Sequence, residues 1–145
     1  MVEYPRRFTL SELTHTDTGL PNLPDWERLE NVRQTGLKLD SIRDAFGRPI
    51  RVNCCYRSEA VNARVGGVST SAHLLGLAAD IKAYNGTENA NRALYALIVG
   101  MVSELDIDQL ILYTKTPGDK TGEIRFMHVG WRTEKEKARH QMLFK

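Results

Sequence analysis

The run from Trp26 to Phe46 constrains the fold most. Trp26, Leu29, Val32, Leu39, Ile42 and Phe46 recur at helical spacing, with Gly36 on the same stripe. A helix with one long apolar stripe needs a partner surface to cover it. Asp25 and Glu27 near the start suit the helix dipole, and Gly47-Arg48-Pro49 ends the pattern. Gly36 predicts a close crossing with another element. This helix is read as a packing element and is assigned no chemistry.

The remaining elements are short. Thr9–Leu13 reads as one helical turn, and a turn-rich stretch from Thr16 to Pro24 follows it. Ile50–Cys54 alternates as a strand, Ser58 caps a short helix to about Val65, and Gly66-Gly67 ends it. Residues 69–76 read as a loop and 78–83 as a second strand. A helix over 88–104 presents Ala90, Leu94, Leu97, Met101 and Leu105 on one face. Two more strands are expected over 107–113 and 123–131, joined by a hairpin loop containing Pro117-Gly118. The tail from Thr133 to Lys145 docks as a small helix or strand. Helices and strands that do not alternate regularly predict an α+β fold. The 145 residues fit a single domain, 1–145.

Composition removes several functional classes. A net charge of +2 gives no electrostatic footprint for nucleic acid. The longest apolar stretch, around Leu94–Met101, is far short of the ~20 residues that span a bilayer. No apolar run of about 7–15 residues follows Arg6 and Arg7, so synthesis in a cytosol without a secretory signal is expected. Cys54 and Cys55 are adjacent, which disfavours a disulfide between them, and both are expected to be buried free thiols. There is no phosphate-cradling glycine motif.

Chemistry concentrates in Ser71-x-His73-x-x-Gly76-x-Ala78-x-Asp80-Ile81. Gly76 permits a turn, so His73 on a loop and Asp80 on a strand can face one cleft. His128 lies in the apolar strand Phe126–Trp131. Two imidazoles and a carboxylate suit zinc and leave a fourth position for water. On the residues alone, His128 as a hydrogen-bonded core residue and Asp80 as a strand-end cap are equally open. His15 and His140 read as surface residues, Trp26 and Trp131 as core or cleft wall, and Lys135-Glu136-Lys137 as a solvated face.

The central motif resembles the SxHxxGxAxDI signature of the zinc-dependent D-alanyl-D-alanine carboxypeptidase family. Phe8–Leu13 is similar to the opening of its small, phage-type branch. Gly47–Val52 through Tyr56-Arg57-Ser58 resembles that branch's GRPIRVTSGYRS strand, with Cys54-Cys55 in the Ser-Gly place. Asn62 and Val65-Gly66-Gly67 continue the match, Asp108–Ile111 resembles its DQLI strand, and His128-Val129 its final HV.

The resemblance implies a DD-peptidase/Hedgehog-like fold, a small, mostly antiparallel sheet flanked by helices. It implies zinc held by His73, Asp80 and His128, with Arg57 on the scissile carbonyl or a substrate carboxylate. Ser71 is expected to orient the His73 loop or touch substrate. The implied substrates are stem peptides of bacterial peptidoglycan, cut by a carboxypeptidase or an endolysin-like endopeptidase. The expected setting is a monomeric phage or prophage product that reaches the wall after lysis or in the virion, with no nucleic-acid or membrane partner. Relatives carry an acidic residue three positions before the last His, or a Glu closing the DQLI strand; here these positions hold Arg125 and Tyr113. Glu123 is the nearest acid in the last strand, but alternation turns it away from the face of His128 unless a bulge intervenes. Glu123 as general base, Tyr113 as oxyanion donor, and a metal-binding protein that has lost hydrolysis all stay open.

Overall fold

In the computed structural model, which describes residues 2–145, one mixed sheet carries helices against one of its faces. In chain order the elements are α1 (Leu10–Leu13), α2 (Trp26–Phe46), β1 (Ile50–Cys54), α3 (Glu59–Arg64), a 3-10 turn (Ala72–Leu75), β2 (Ala78–Ala83), α4 (Glu88–Met101), β3 (Gln109–Thr114), β4 (Ile124–Gly130) and β5 (Gln141–Phe144). The sheet order is β1-β2-β4-β3-β5. All neighbours are antiparallel except β3 and β5, which run parallel. The tail is therefore a strand. No helix among the described residues is long and apolar enough to cross a membrane.

Helix α2 begins at Asp25, whose carboxylate accepts from Arg28 N, and ends at Gly47 in the left-handed conformation, φ 71°. Its stripe buries Val32, Leu39 and Ile42 against Leu94 and Ile98 of α4 and Ile81, Leu110, Met127 and Val129 of the sheet. Each fully buried aliphatic side chain of this kind contributes roughly 1.5–3 kcal/mol. At Gly36 the expected close approach is present: a Cβ there would lie 2.4 Å from Pro5 Cγ and 3.0 Å from Leu13 Cδ1. Asp40, one turn on, accepts from the backbone N–H groups of Arg6 and Arg7 and fastens the N-terminal segment over this spot.

Helix α4 stops at Met101, three residues before the expected end, and Ile98 rather than Leu97 faces the centre of the core. Trp131 is buried and donates to the Leu105 carbonyl. Trp26 departs from its reading as core or cleft wall. It occupies the first helical position, ahead of the packed stripe, and is 87% exposed. Cys55 is buried and free, but Cys54 is only half-buried.

Two β-bulges shape the other face of the sheet. On β1 the register shifts between Val52, opposite Ile81, and Cys54, opposite Asp80. On β4 it shifts between Phe126, opposite Tyr113, and Ile124, opposite Thr114. An extra residue at each point, Asn53 and Arg125, reverses the alternation of side chains beyond it. The face so formed carries Arg51, Cys54, Lys82, Tyr113 and Phe126, all exposed or half-buried, around Asp80 and His128.

Candidate metal centre

His73 comes to the sheet on a loop that α2 holds in place. Arg28 Nε donates to the Leu74 carbonyl, Asn31 Nδ2 to that of Leu75, and Thr35 Oγ1 to that of Gly76. Gly76 has φ 74° and lies so close to α2 that a Cβ would meet Val32 Cγ2 at 2.7 Å and the Arg28 carbonyl at 3.0 Å. Only glycine satisfies both demands at once. Ser71 caps the turn, its Oγ accepting from His73 N at 3.2 Å. This bond fixes the start of the turn that carries His73. The helix read as a packing element thus also seats a site residue.

Asp80 and His128 come from the ladder itself, standing directly opposite each other on β2 and β4. His73 Nε2 lies 3.2 Å from Asp80 Oδ1, and His128 Nδ1 lies 3.0 Å from the same oxygen. The two rings meet edge to face with centroids 5.0 Å apart. His73 is 2% exposed and Asp80 8%.

The hydrogen bonding tests whether this trio fits a metal ion. His73 Nδ1 is 2.6 Å from the Cys55 carbonyl, which only accepts, so Nδ1 carries the proton. A neutral ring then turns its Nε2 lone pair on a carboxylate oxygen, and two acceptors face each other. Such a contact needs either a second proton or a cation between them. When only protons are supplied, burial pulls the His73 pKa down, but the bonds to Asp80 and Cys54 outweigh it and carry the group up to about 9. Burial pushes the Asp80 carboxyl upward, yet His128 and His73 hold it well below the usual range. A divalent ion replaces the proton with better-matched donors, and the Nδ1–H bond to a backbone carbonyl is the outer support that orients a ligating histidine. The residues fit such an ion.

Arg57 is no surface ion pair. Its backbone N–H donates to the His73 carbonyl, and its guanidinium spreads over the centre. Nη2 lies 3.5 Å from Asp80 Oδ2, Nε donates to Cys54 Sγ at 3.2 Å, and Nη1 to Asn62 Oδ1 at 3.3 Å. Asn62 is buried and anchored in turn on the Val68 carbonyl. Asn22 organises the same loop: its carboxamide donates to the Thr14 and Tyr56 carbonyls and accepts from Ser58 N. Nothing in the sequence around Asn22 marks it, since its partners lie as far as 36 positions away.

Tyr113 stacks on Phe126 with ring centroids 4.5 Å apart. Burial raises the pKa of its phenol and the Asp80 charge adds to this, with Arg57 and Arg125 opposing. It is therefore a neutral O–H donor near the carboxylate. Arg125, the extra residue of the bulge, sits over the Phe126 ring at 5.6 Å. Glu123 is not brought to the centre. The bulge does reverse its face, but its carboxylate pairs with Lys115 Nζ at 2.9 Å, with both side chains more than half exposed. Glu123 lies five positions before His128, about 16 Å of strand rise. Among the described residues, Asp80 is the one carboxylate bonded to either imidazole of the centre. His15 and His140 lie at the surface, beside Asp17 and Asp106.

The sequence model of the family Peptidase M15 matches residues 6–100, more than half of the chain. The matched stretch holds Arg57, Ser71, His73 and Asp80, whereas Tyr113 and His128 lie beyond it. A zinc D-Ala-D-Ala carboxypeptidase from Streptomyces albus G is 36% identical over 88 residues. That alignment takes in 54% of this chain and 32% of the relative, so the match spans about a third of that protein's length.

Proposed function

The chain belongs to the Peptidase M15 family, and from that premise we propose that it is a zinc metallopeptidase acting on D-Ala-containing peptide bonds of bacterial peptidoglycan. The convergence of His73 Nε2 and His128 Nδ1 on one oxygen of Asp80 carries this reading. These three residues would hold the ion. Zinc bound there supplies Lewis acidity to the scissile carbonyl and to the attacking water.

The chain's own groups do the rest. Arg57, fixed by Asn62, offers charge-assisted hydrogen bonds to the developing oxyanion or to a substrate carboxylate. Tyr113 holds its proton at neutral pH and offers its O–H as a second donor. Phe126 stacks behind the phenol and fixes its direction. Ser71 and Gly76 hold the His73 loop in place, and the Cys55 carbonyl keeps the imidazole in one tautomer.

Incubating the zinc-loaded protein with wall fragments tests the proposal. Chelator-sensitive release of D-alanine identifies a carboxypeptidase, and release of cross-linked peptide an endopeptidase. No release, with zinc bound, supports the second reading: a wall-binding or virion protein that keeps the metal and has lost turnover. One observation favours that second reading, namely that Tyr113 and Arg125 stand where a base is wanted while Glu123 is tied to Lys115.

A further inference from the structure

We propose that Cys54 is a fourth protein ligand to the metal held by His73, Asp80 and His128, filling the position that an open hydrolytic centre leaves to water. The inference rests on the metal reading above and concerns a residue that reading does not use.

The backbone sets up the contact. Ile50 and Val52 of β1 face the core, and unbroken alternation would send Cys54 there too. The extra residue Asn53 turns Cys54 onto the open face, where its register partner is Asp80 itself. Sγ, a ring nitrogen of His73 and a carboxylate oxygen of Asp80 all lie within 4.8 Å of one another. Donors around a tetrahedral zinc, with bonds of about 2.0–2.3 Å, are separated by ~3.3–3.8 Å. Arg57 Nε donates to Sγ at 3.2 Å. A hydrogen bond to a ligating sulfur is the usual outer support of a thiolate.

Ligation releases the thiol proton to solvent. Asp80 and the thiolate together then balance a divalent charge, with two neutral imidazoles completing four donors. With Sγ bound no position would be left for water, so turnover would require the sulfur to leave the ion. Cys55, pointing into the core with its thiol pushed well above the ordinary range by burial, takes no part.

Cobalt(II) added to the full-length chain tests the assignment without reference to activity. The expected spectrum carries a near-ultraviolet thiolate-to-cobalt charge-transfer band that persists in Cys55→Ser and is lost in Cys54→Ser. In the unmutated protein, cobalt should slow iodoacetamide labelling of Cys54, mapped by mass spectrometry, by more than about tenfold, because a coordinated thiolate is not free to attack. Visible cobalt bands without the charge-transfer band, or labelling of Cys54 unaffected by cobalt, would overturn the proposal and leave the three-ligand centre standing. Absence of any cobalt binding would overturn both.

Discussion

His128 stands directly across the β2–β4 ladder from Asp80, with its Nδ1 3.0 Å from Asp80 Oδ1. A ligand pair fixed by strand register needs no loop to close around the ion, so the centre is largely formed before binding. Preformed sites convert metal affinity directly into stability: at a metal concentration one hundred times Kd the gain is about 2.7 kcal/mol. Zinc is expected to raise the melting temperature of the unmutated protein and of His15→Ala. His73→Ala and His128→Ala should lose that rise and the bound ion. Thermal melts with and without zinc, paired with metal analysis, check this; equal zinc content in all four proteins would contradict the assignment.

Arg57 contacts Asp80, Cys54 and Asn62 at once, so its effect on turnover should separate from any effect on metal content. Arg57→Ala is expected to lower kcat/KM by about 10²–10³, the cost of losing one oxyanion donor, with zinc still bound. Asn62→Ala should lower it less, by freeing the guanidinium rather than removing it. Steady-state kinetics on a D-Ala-terminated peptide with parallel zinc analysis distinguishes positioning from loss of the ion.

Glu123 and Tyr113 make opposite predictions. Glu123→Gln removes a surface ion pair worth under about 1 kcal/mol and should leave kcat within twofold of the original. Tyr113→Phe deletes the phenol oxygen while keeping the stack on Phe126, and should lower kcat without changing zinc affinity. Abolition of turnover by Glu123→Gln would mean that the pair with Lys115 opens during catalysis and that Glu123 is the base after all.

The sequence carried the periodic elements and the His73–Asp80 motif because both leave local traces. The stripe from Trp26 to Phe46, the capping Ser58 and the glycine between His73 and Asp80 each act within a few residues. What it did not carry depends on pairing between distant segments. The bulges at Asn53 and Arg125 exist only as mismatches between strands, so the turning of Cys54 toward Asp80 was invisible and the thiol was expected in the core. The reversed face of Glu123 depends on the bulge at Arg125. The ion pair that removes Glu123 from the centre joins the two ends of a hairpin, which composition does not reveal. Trp26 shows the limit of periodicity, since a residue on the apolar stripe but at the first helical position lies beyond the partner surface.

Asp108 offers a test of the fold that is independent of the metal. It lies just before β3, 5% exposed, and its carboxylate accepts from Arg139 N, Nε and Nη2, with Arg132 Nε at 3.3 Å. These bonds tie down the segment leading into β5, which otherwise depends on a short parallel pairing with β3. The Arg139 side chain is the main reason that the Asp108 carboxyl sits below the ordinary value, and burial only partly offsets it. A carboxylate whose folded pKa is depressed contributes stability that is complete above the unfolded pKa, about 3.9, and is lost as pH falls through the folded one. Unfolding in urea from pH 7 to pH 2 should therefore show a loss of stability below about pH 4 that is smaller in Asp108→Asn. At pH 7 that variant should be less stable by roughly 2 kcal/mol, as expected for weakening a charged, buried hydrogen-bond network. Hydrogen exchange should place the change in residues 139–144. Identical acid curves for the two proteins, or protection lost uniformly rather than in β5, would show that Asp108 does not clasp the tail.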